Sequence, residues 1–143
     1  MITYLTIDAG VAFKLIVPHA QQTFYIDLVD GWQRNGYRLC APTLWTYELT
    51  SAISKMVYFG HLSQTVARES LLVAYDLAVE LIAPDQEQIS KALAWTCRLS
   101  RAAAYDSFYL ALADTLDCDL WTVDKRLVNA AAEPWVRFAE AQR

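Results

Sequence analysis

The feature that most restricts what this chain can fold into is the steady exchange of short strand-like runs with helix-period stretches. Ile2 to Ile7 (ITYLTI) is β-branched and aromatic and stops at Asp8-Ala9-Gly10, the pattern of a buried strand running into a turn. Ala20 to Arg34 carries helix-spaced apolar residues and ends before Asn35-Gly36, a helix stop. Tyr37 to Ala41 reads as a second strand. Pro42 suits the first turn of a helix whose stripe of Leu44, Trp45, Leu49, Ala52, Ile53 and Met56 runs to a stop near Gly60. Ser63 is placed to cap a helix reaching about Leu77, and Val79 to Ala83 forms a third strand closed by Pro84. Asp85 with Gln88 resembles a capping box for a helix over roughly 86–101. Tyr105 to Leu116 is helical, Asp119 to Val123 a strand ending at Asp124, Lys125 to Ala132 a short helix, and Trp135 to Phe138 an edge strand. Such alternation predicts a three-layer α/β fold, a mostly parallel central sheet of four to five strands flanked by helices.

A length of 143 residues with 55% hydrophobic and 20% charged content suits one folded domain over 1–143, and there is no repeat, low-complexity tract or linker to divide it. Met1 to Gly10 lacks the basic and apolar regions of a secretion signal, and Asp76 and Glu80 interrupt the long apolar stretch from Leu71 to Pro84. A soluble, cytoplasmic protein with no membrane partner is expected. Cys40, Cys97 and Cys118 are odd in number and far apart, encode neither a disulfide framework nor a zinc site, and read as small core hydrophobes.

Chemistry is sought first at acids that follow strands, because ligands of parallel α/β sheets bind at the carboxyl ends of the strands. Asp8 and Asp124 occupy such positions, although either one alone also suits a helix cap. Glu48 lies on or beside the apolar stripe of its helix, between Leu44 and Ala52 at four-residue spacing. A lone charge there costs several kcal/mol, roughly, unless a base or a cation compensates it. Asp106 begins the Tyr105 helix, where an acid also suits the helix dipole. Taken together, four acids near element ends form a set of hard oxygen donors of the kind Mg²⁺ and Mn²⁺ accept. Such an ion activates water against a phosphodiester. The net charge of −4 does not exclude a nucleic acid: with these four set aside, twelve acids face twelve bases.

Four segments carry a resemblance to a known family. Asp8-Ala9-Gly10-Val11, Thr46-Tyr47-Glu48-Leu49, the run Tyr105-Asp106-Ser107-Phe108-Tyr109-Leu110-Ala111-Leu112-Ala113, and Leu120-Trp121-Thr122-Val123-Asp124-Lys125-Arg126-Leu127 are similar to the four motifs of PIN domains. In order, spacing and length the chain most resembles the VapC-type toxins of toxin–antitoxin pairs. The resemblance implies a metal-dependent endoribonuclease with Asp8, Glu48, Asp106 and Asp124 binding Mg²⁺ or Mn²⁺. It also implies that the Thr122 hydroxyl orients a carboxylate, a metal-bound water or a phosphate. An RNA substrate, a small antitoxin partner and a homodimer are implied with it. Lys14, Lys125 and Arg126 flank the site and are candidate RNA phosphate contacts.

Two positions depart from the pattern: Gly10 stands where a Ser or Thr is usual, and His19 near where an acid is frequent. His19 and His61 are isolated and read as surface or structural residues, and Asp114, Asp117 and Asp119 as solvated acids on the opposite rim. The rival reading is a PIN-fold binding module without turnover, which Gly10 and the lack of a basic face favour. Retention of all four acids speaks against it.

Overall fold

The computed structural model describes residues 1–141. Strands β1 (Thr3–Ile7), β2 (Tyr37–Pro42), β3 (Glu80–Ile82), β4 (Leu120–Thr122) and β5 (Val136–Phe138) form one sheet in the order β3-β2-β1-β4-β5. All four pairings are parallel. Seven helices accompany them: α1 (Ala9–Ile16), α2 (Gln22–Arg34), α3 (Leu44–Tyr58), α4 (Gln64–Asp76), α5 (Gln86–Arg98), α6 (Tyr105–Leu116) and α7 (Lys125–Ala131). The expected three-layer α/β architecture is present, and the sheet is wholly rather than mostly parallel.

Leu5, Thr6 and Ile7 are consecutive and all buried, as are Leu39, Cys40 and Ala41. Successive strand residues point to opposite faces, so both faces of the central strands are covered, as parallel sheets require. Leu110, Leu112, Leu120 and Ile53 are buried in the same core, where truncating such a side chain to Ala costs about 2–5 kcal/mol. Four helices open on side-chain caps: Asp8, Ser63, Asp85 and Asp124 each accept a bond from a backbone N–H three residues on, worth about 1 kcal/mol apiece. No helix among the described residues is long and apolar enough to cross a membrane.

Several local expectations are corrected. The Asp8-Ala9-Gly10 turn is the start of α1, whose apolar side chains Val11, Leu15 and Ile16 are all buried. Pro42 closes β2 instead of opening a helix, and Thr43 precedes α3. The Gln86 helix stops at Arg98 because Ser100 takes a left-handed backbone conformation, φ 54°, that ends the helical hydrogen bonding. Of the cysteines, Cys40 is buried, Cys118 half-buried and Cys97 exposed on α5, so Cys97 is no core residue. His19 is structural: its Nε2 lies 2.6 Å from the Lys14 carbonyl oxygen that α1 leaves unpaired.

From β1 the chain steps to β2 and then β3 on one side, whereas β4 and β5 lie on the other. The order therefore reverses between β1 and β4, and a crevice opens beyond their carboxyl ends.

Candidate functional site

The β1–β4 pairing places Asp8 and Asp124 side by side at this reversal. The Asp8 N–H bonds the Trp121 carbonyl at 3.2 Å, which carries the strand ladder up to the acid itself. Asp8 Oδ1 accepts from the Val11 N–H at 2.9 Å and so starts α1, while Oδ2 accepts a very short bond from the Thr122 hydroxyl. The same hydroxyl oxygen accepts the Asp124 N–H at 2.9 Å, and Asp124 Oδ1 caps α7 through the Leu127 N–H at 3.1 Å. The fully buried Thr122 thus ties the two acids together. Asp8 and Asp124 are helix caps, as the plain reading allowed, and their capping leaves the second oxygen of Asp124 uncommitted to protein donors among the described residues.

Glu48 reaches the crevice from α3, which follows β2 on the other side of β1. Its partner is neither a lysine nor an arginine: the Tyr109 hydroxyl donates to Glu48 Oε1 at 2.6 Å. Asp106 enters from the first turn of α6, three residues before Tyr109 and so on the same helix face. Asp106 Oδ2 is held by Arg101 at 2.7 Å.

Electrostatics links Asp106 to each of the other three acids. Burial pushes the Asp8 carboxyl up to about 6; the Thr122 and backbone bonds oppose the rise, and Asp106 adds to it. Glu48 is raised by burial, with the Tyr109 bond opposing and Asp106 adding to the shift. Asp106 is raised by burial against the pull of Arg101, and Asp124 pushes it the same way. Burial and the neighbouring Glu48 and Asp8 charges push the Tyr109 phenol well above its usual range, so it stays a neutral donor.

Sequence reasoning missed Tyr109 and Arg101. Tyr109 was recognisable in principle, since a tyrosine on a buried helix face requires an acceptor for its hydroxyl. Arg101 gives no such signal: the sequence places it at the end of the helix over 86–101, whereas α5 stops at Arg98. The Gly10 departure has a steric cause: a Cβ there would overlap the Val123 Cγ2 and lie 3.3 Å from Asp8 Oδ1. Of the candidate phosphate contacts, Lys14 lies in the last turn of α1, and Lys125 and Arg126 are exposed at the start of α7. Asp114 and Asp119 are engaged elsewhere, with Lys91 at 3.7 Å and Arg137 at 2.8 Å.

The donor set is all oxygen and mutually repelling, the chemistry a hard divalent cation fits. Among the described residues, however, no three such side chains are gathered as a ready metal-holding group. Glu48 is bonded to Tyr109 and Asp106 to Arg101.

No protein-family profile matches the chain, and no curated protein matches it in sequence. Among solved structures it is similar to PAE2754 from Pyrobaculum aerophilum, with 17% identity and a TM-score of 0.73 over 96% of this chain and 92% of that one. It is also similar to VapC20 of Mycobacterium tuberculosis, described as a sarcin-ricin loop cleaving toxin, with 12% identity and a TM-score of 0.65 over 92% of this chain and 96% of the other. At such identities the likeness concerns architecture: the chain has the PIN-like α/β fold of these proteins.

Proposed function

We propose that residues 1–143 form a single PIN-type nuclease domain, a Mg²⁺- or Mn²⁺-dependent endoribonuclease. Asp8, Glu48, Asp106 and Asp124 would hold the cation. What supports this reading is the placement of four acids, far apart in sequence, around the β1–β4 reversal, three of them held above their ordinary pKa, chiefly by burial and in smaller part by a neighbouring acid. A fold keeps such a cluster only at a cost in stability, and a divalent cation removes that cost.

A cation held by these acids would supply water activation and charge neutralisation at a phosphodiester. The chain's own residues do the positioning. Thr122 fixes the Asp8 carboxylate against the Asp124 backbone, Tyr109 aims Glu48, and Arg101, paired with Asp106, would offer a guanidinium to a phosphate oxygen. Lys14, Lys125 and Arg126 provide the outer phosphate contacts in this reading. Hydrolysis joins a water oxygen to phosphorus as the bridging P–O bond breaks, and the departing oxygen takes up a proton. The similarity to VapC20 supports a toxin role; a small cognate antitoxin, a homodimer and a cytoplasmic setting belong to the same proposal and rest on the motif resemblance.

Incubating total RNA with the protein in Mg²⁺, Mn²⁺ or a chelator, alongside calorimetric titration of Mn²⁺, tests the reading. Cleavage that needs the cation and saturable binding of it are expected. A second reading, a PIN-fold binding module without turnover, is favoured by the Arg101–Asp106 pair and by the lack of a gathered metal group among the described residues. It predicts RNA or protein binding with no cleavage under any cation.

A further inference from the structure

Two cysteines far apart in the chain meet at one hydroxyl on β1. The buried Thr6 Oγ1 lies 3.4 Å from Cys40 Sγ and 3.3 Å from Cys118 Sγ. Cys40 is the register partner of Thr6 on β2, so both side chains leave the same face of the sheet. Cys118 arrives by the turn between α6 and β4. That helix ends on a left-handed Asp117, φ 50°, and the Cys118 N–H closes it by bonding the Ala113 carbonyl at 3.0 Å. The Thr6 N–H bonds the Asp119 carbonyl at 2.9 Å and seats the turn beside β1. The pair is unsymmetrical. Cys40 is fully buried, whereas Cys118 is half-buried and lines a small pocket of about 90 Å³ together with Asp114, Asp117, Asp119 and Trp135. A molecule of a few heavy atoms therefore has a path to Cys118 and none to Cys40. The Cys40 S–H, helped by the Thr6 hydroxyl, lowers the Cys118 thiol to about 7, with burial and Asp119 opposing. The same bond, with burial, pushes Cys40 well above the usual thiol range. A thiolate is the nucleophile, so the sulfur that can be reached is the reactive one and the enclosed sulfur lies beside it.

We propose that Cys118 and Cys40 are a peroxide-sensitive pair that closes into a disulfide across β1. The Cys118 thiolate sulfur attacks one peroxide oxygen, the O–O bond breaks, and the departing hydroxide takes up a proton, leaving Cys118 as a sulfenic acid. Cys40 then gives up its proton as its sulfur attacks the Cys118 sulfur; the S–O bond breaks, and the hydroxide released leaves with that proton as water. The two thiols together lose two electrons, and one hydrogen peroxide becomes two waters. Oxidising Cys118 removes the negative sulfur that held the Cys40 proton in place, so the second thiol becomes available once the first has reacted. Hydrogen peroxide is small and neutral, which suits a pocket of this size lined by aspartates. The cross-link joins β2 to the approach to β4, the two strands that flank β1. The inference is independent of the nuclease reading and holds whatever the acids bind.

The test uses the full chain carrying Cys97→Ser, which removes the exposed thiol on α5. The reduced, folded protein is treated with hydrogen peroxide, unfolded in iodoacetamide and mapped by mass spectrometry. The expected product is a peptide joining Cys40 to Cys118, in a protein lighter by two hydrogens, and dithiothreitol should return both thiols to alkylation. Cys118→Ser should leave Cys40 reduced, because no oxidant reaches it. Cys40→Ala should leave Cys118 as a sulfenic acid that a 1,3-diketone captures on unfolding. Thr6→Val keeps the branched shape and removes the shared hydroxyl, and should slow disulfide formation severalfold. Three outcomes overturn the inference. Full alkylation of both thiols, at peroxide doses that oxidise free cysteine, makes them inert fillers of the core. Cys118 carried on to sulfinic acid in the parent, with Cys40 still reduced, means that the two sulfurs do not meet. A Cys40–Cys118 bond that forms only in denaturant belongs to the unfolded chain.

Discussion

Tyr109 donates its hydroxyl to Glu48 Oε1 at 2.6 Å, so a half-buried carboxylate on α3 is held by a buried ring on α6, across the crevice between them. The bond is charge-assisted, and among the described residues no Lys or Arg forms an ion pair with Glu48. Tyr109→Phe keeps the packing and removes only this donor. Stability should fall by about 1–3 kcal/mol, the cost of leaving a buried acceptor unmade, and Mn²⁺ affinity should drop roughly tenfold as Glu48 loses its aim. Chemical denaturation and calorimetry measure the two. An unchanged Mn²⁺ affinity would reduce Tyr109 to a packing residue.

Thr122 has the tighter constraint, since its one hydroxyl donates to Asp8 and accepts from the Asp124 N–H. Thr122→Val fills the same volume with a methyl and strands both partners in a fully buried place. A stability loss of about 2–3 kcal/mol and loss of RNA cleavage are expected, with Thr122→Ser restoring most of both. If serine fails where threonine works, the γ-methyl and not the hydroxyl is what the site uses.

Much of this was legible in the sequence, for physical reasons that differ by element. β1 and β4 stood out because a strand covered on both faces must be apolar and β-branched, and Asp8 and Asp124 stood out because they end those runs. Glu48 was conspicuous as a carboxylate on a buried stripe. What pairs with it was not legible, because Tyr109 lies sixty-one residues away and only the topology brings it near. The α1 helix was hidden by Gly10, which reads as a turn until Val123 is seen to occupy the space of its side chain. The Arg101–Asp106 pair was not legible, because the sequence carries the Gln86 helix through to Arg101, whereas α5 ends at Arg98 and leaves Arg101 beyond it.

Val123 and Gly10 therefore form a compensated pair. Gly10→Ser alone forces the new Cβ into the Val123 side chain and should destabilise the fold by about 1–3 kcal/mol, the usual cost of overpacking. Gly10→Ser with Val123→Ala opens the space and should recover most of that loss. Melting temperatures of the two variants decide it. Equal loss in both would mean that the backbone at Gly10, and not the side chain at Val123, sets the limit.

Cation and pH act on the same carboxyls. The Asp8 pKa rises from 3.8 to about 6 on folding, so the folded chain holds this proton more tightly than the unfolded chain. Folding is unpenalised by Asp8 below about pH 4, loses stability as pH climbs through roughly 4–6, and carries the full cost of about 3 kcal/mol above that. The raised Glu48 and Asp106 carboxyls add in the same direction. A cation favours the ionised forms, so Mg²⁺ at millimolar concentration should raise the melting temperature more at pH 7 than at pH 5. An equal shift at both, or none at either, counts against binding at these acids.

Isosteric neutralisation separates the roles that capping alone confounds. Asp8→Asn and Asp124→Asn keep an oxygen for the Val11 and Leu127 N–H groups, so each helix start should survive. Asp8→Asn should be the most stabilising of the set, because it removes the carboxyl whose burial is most costly. Glu48→Gln still accepts from Tyr109 and should be close to neutral in stability. Asp106→Asn breaks a partly exposed pair with Arg101, a loss of about 1 kcal/mol or less, and at the same time relieves the push it exerts on Asp8 and Glu48. All four are expected to lose at least a hundredfold in single-turnover RNA cleavage and to bind Mn²⁺ more weakly. Simple caps and a simple ion pair predict the opposite, full activity with little change in the metal titration. A Glu48→Gln protein that cleaves RNA as well as its parent would remove Glu48 from the site and leave the binding-module reading the stronger of the two.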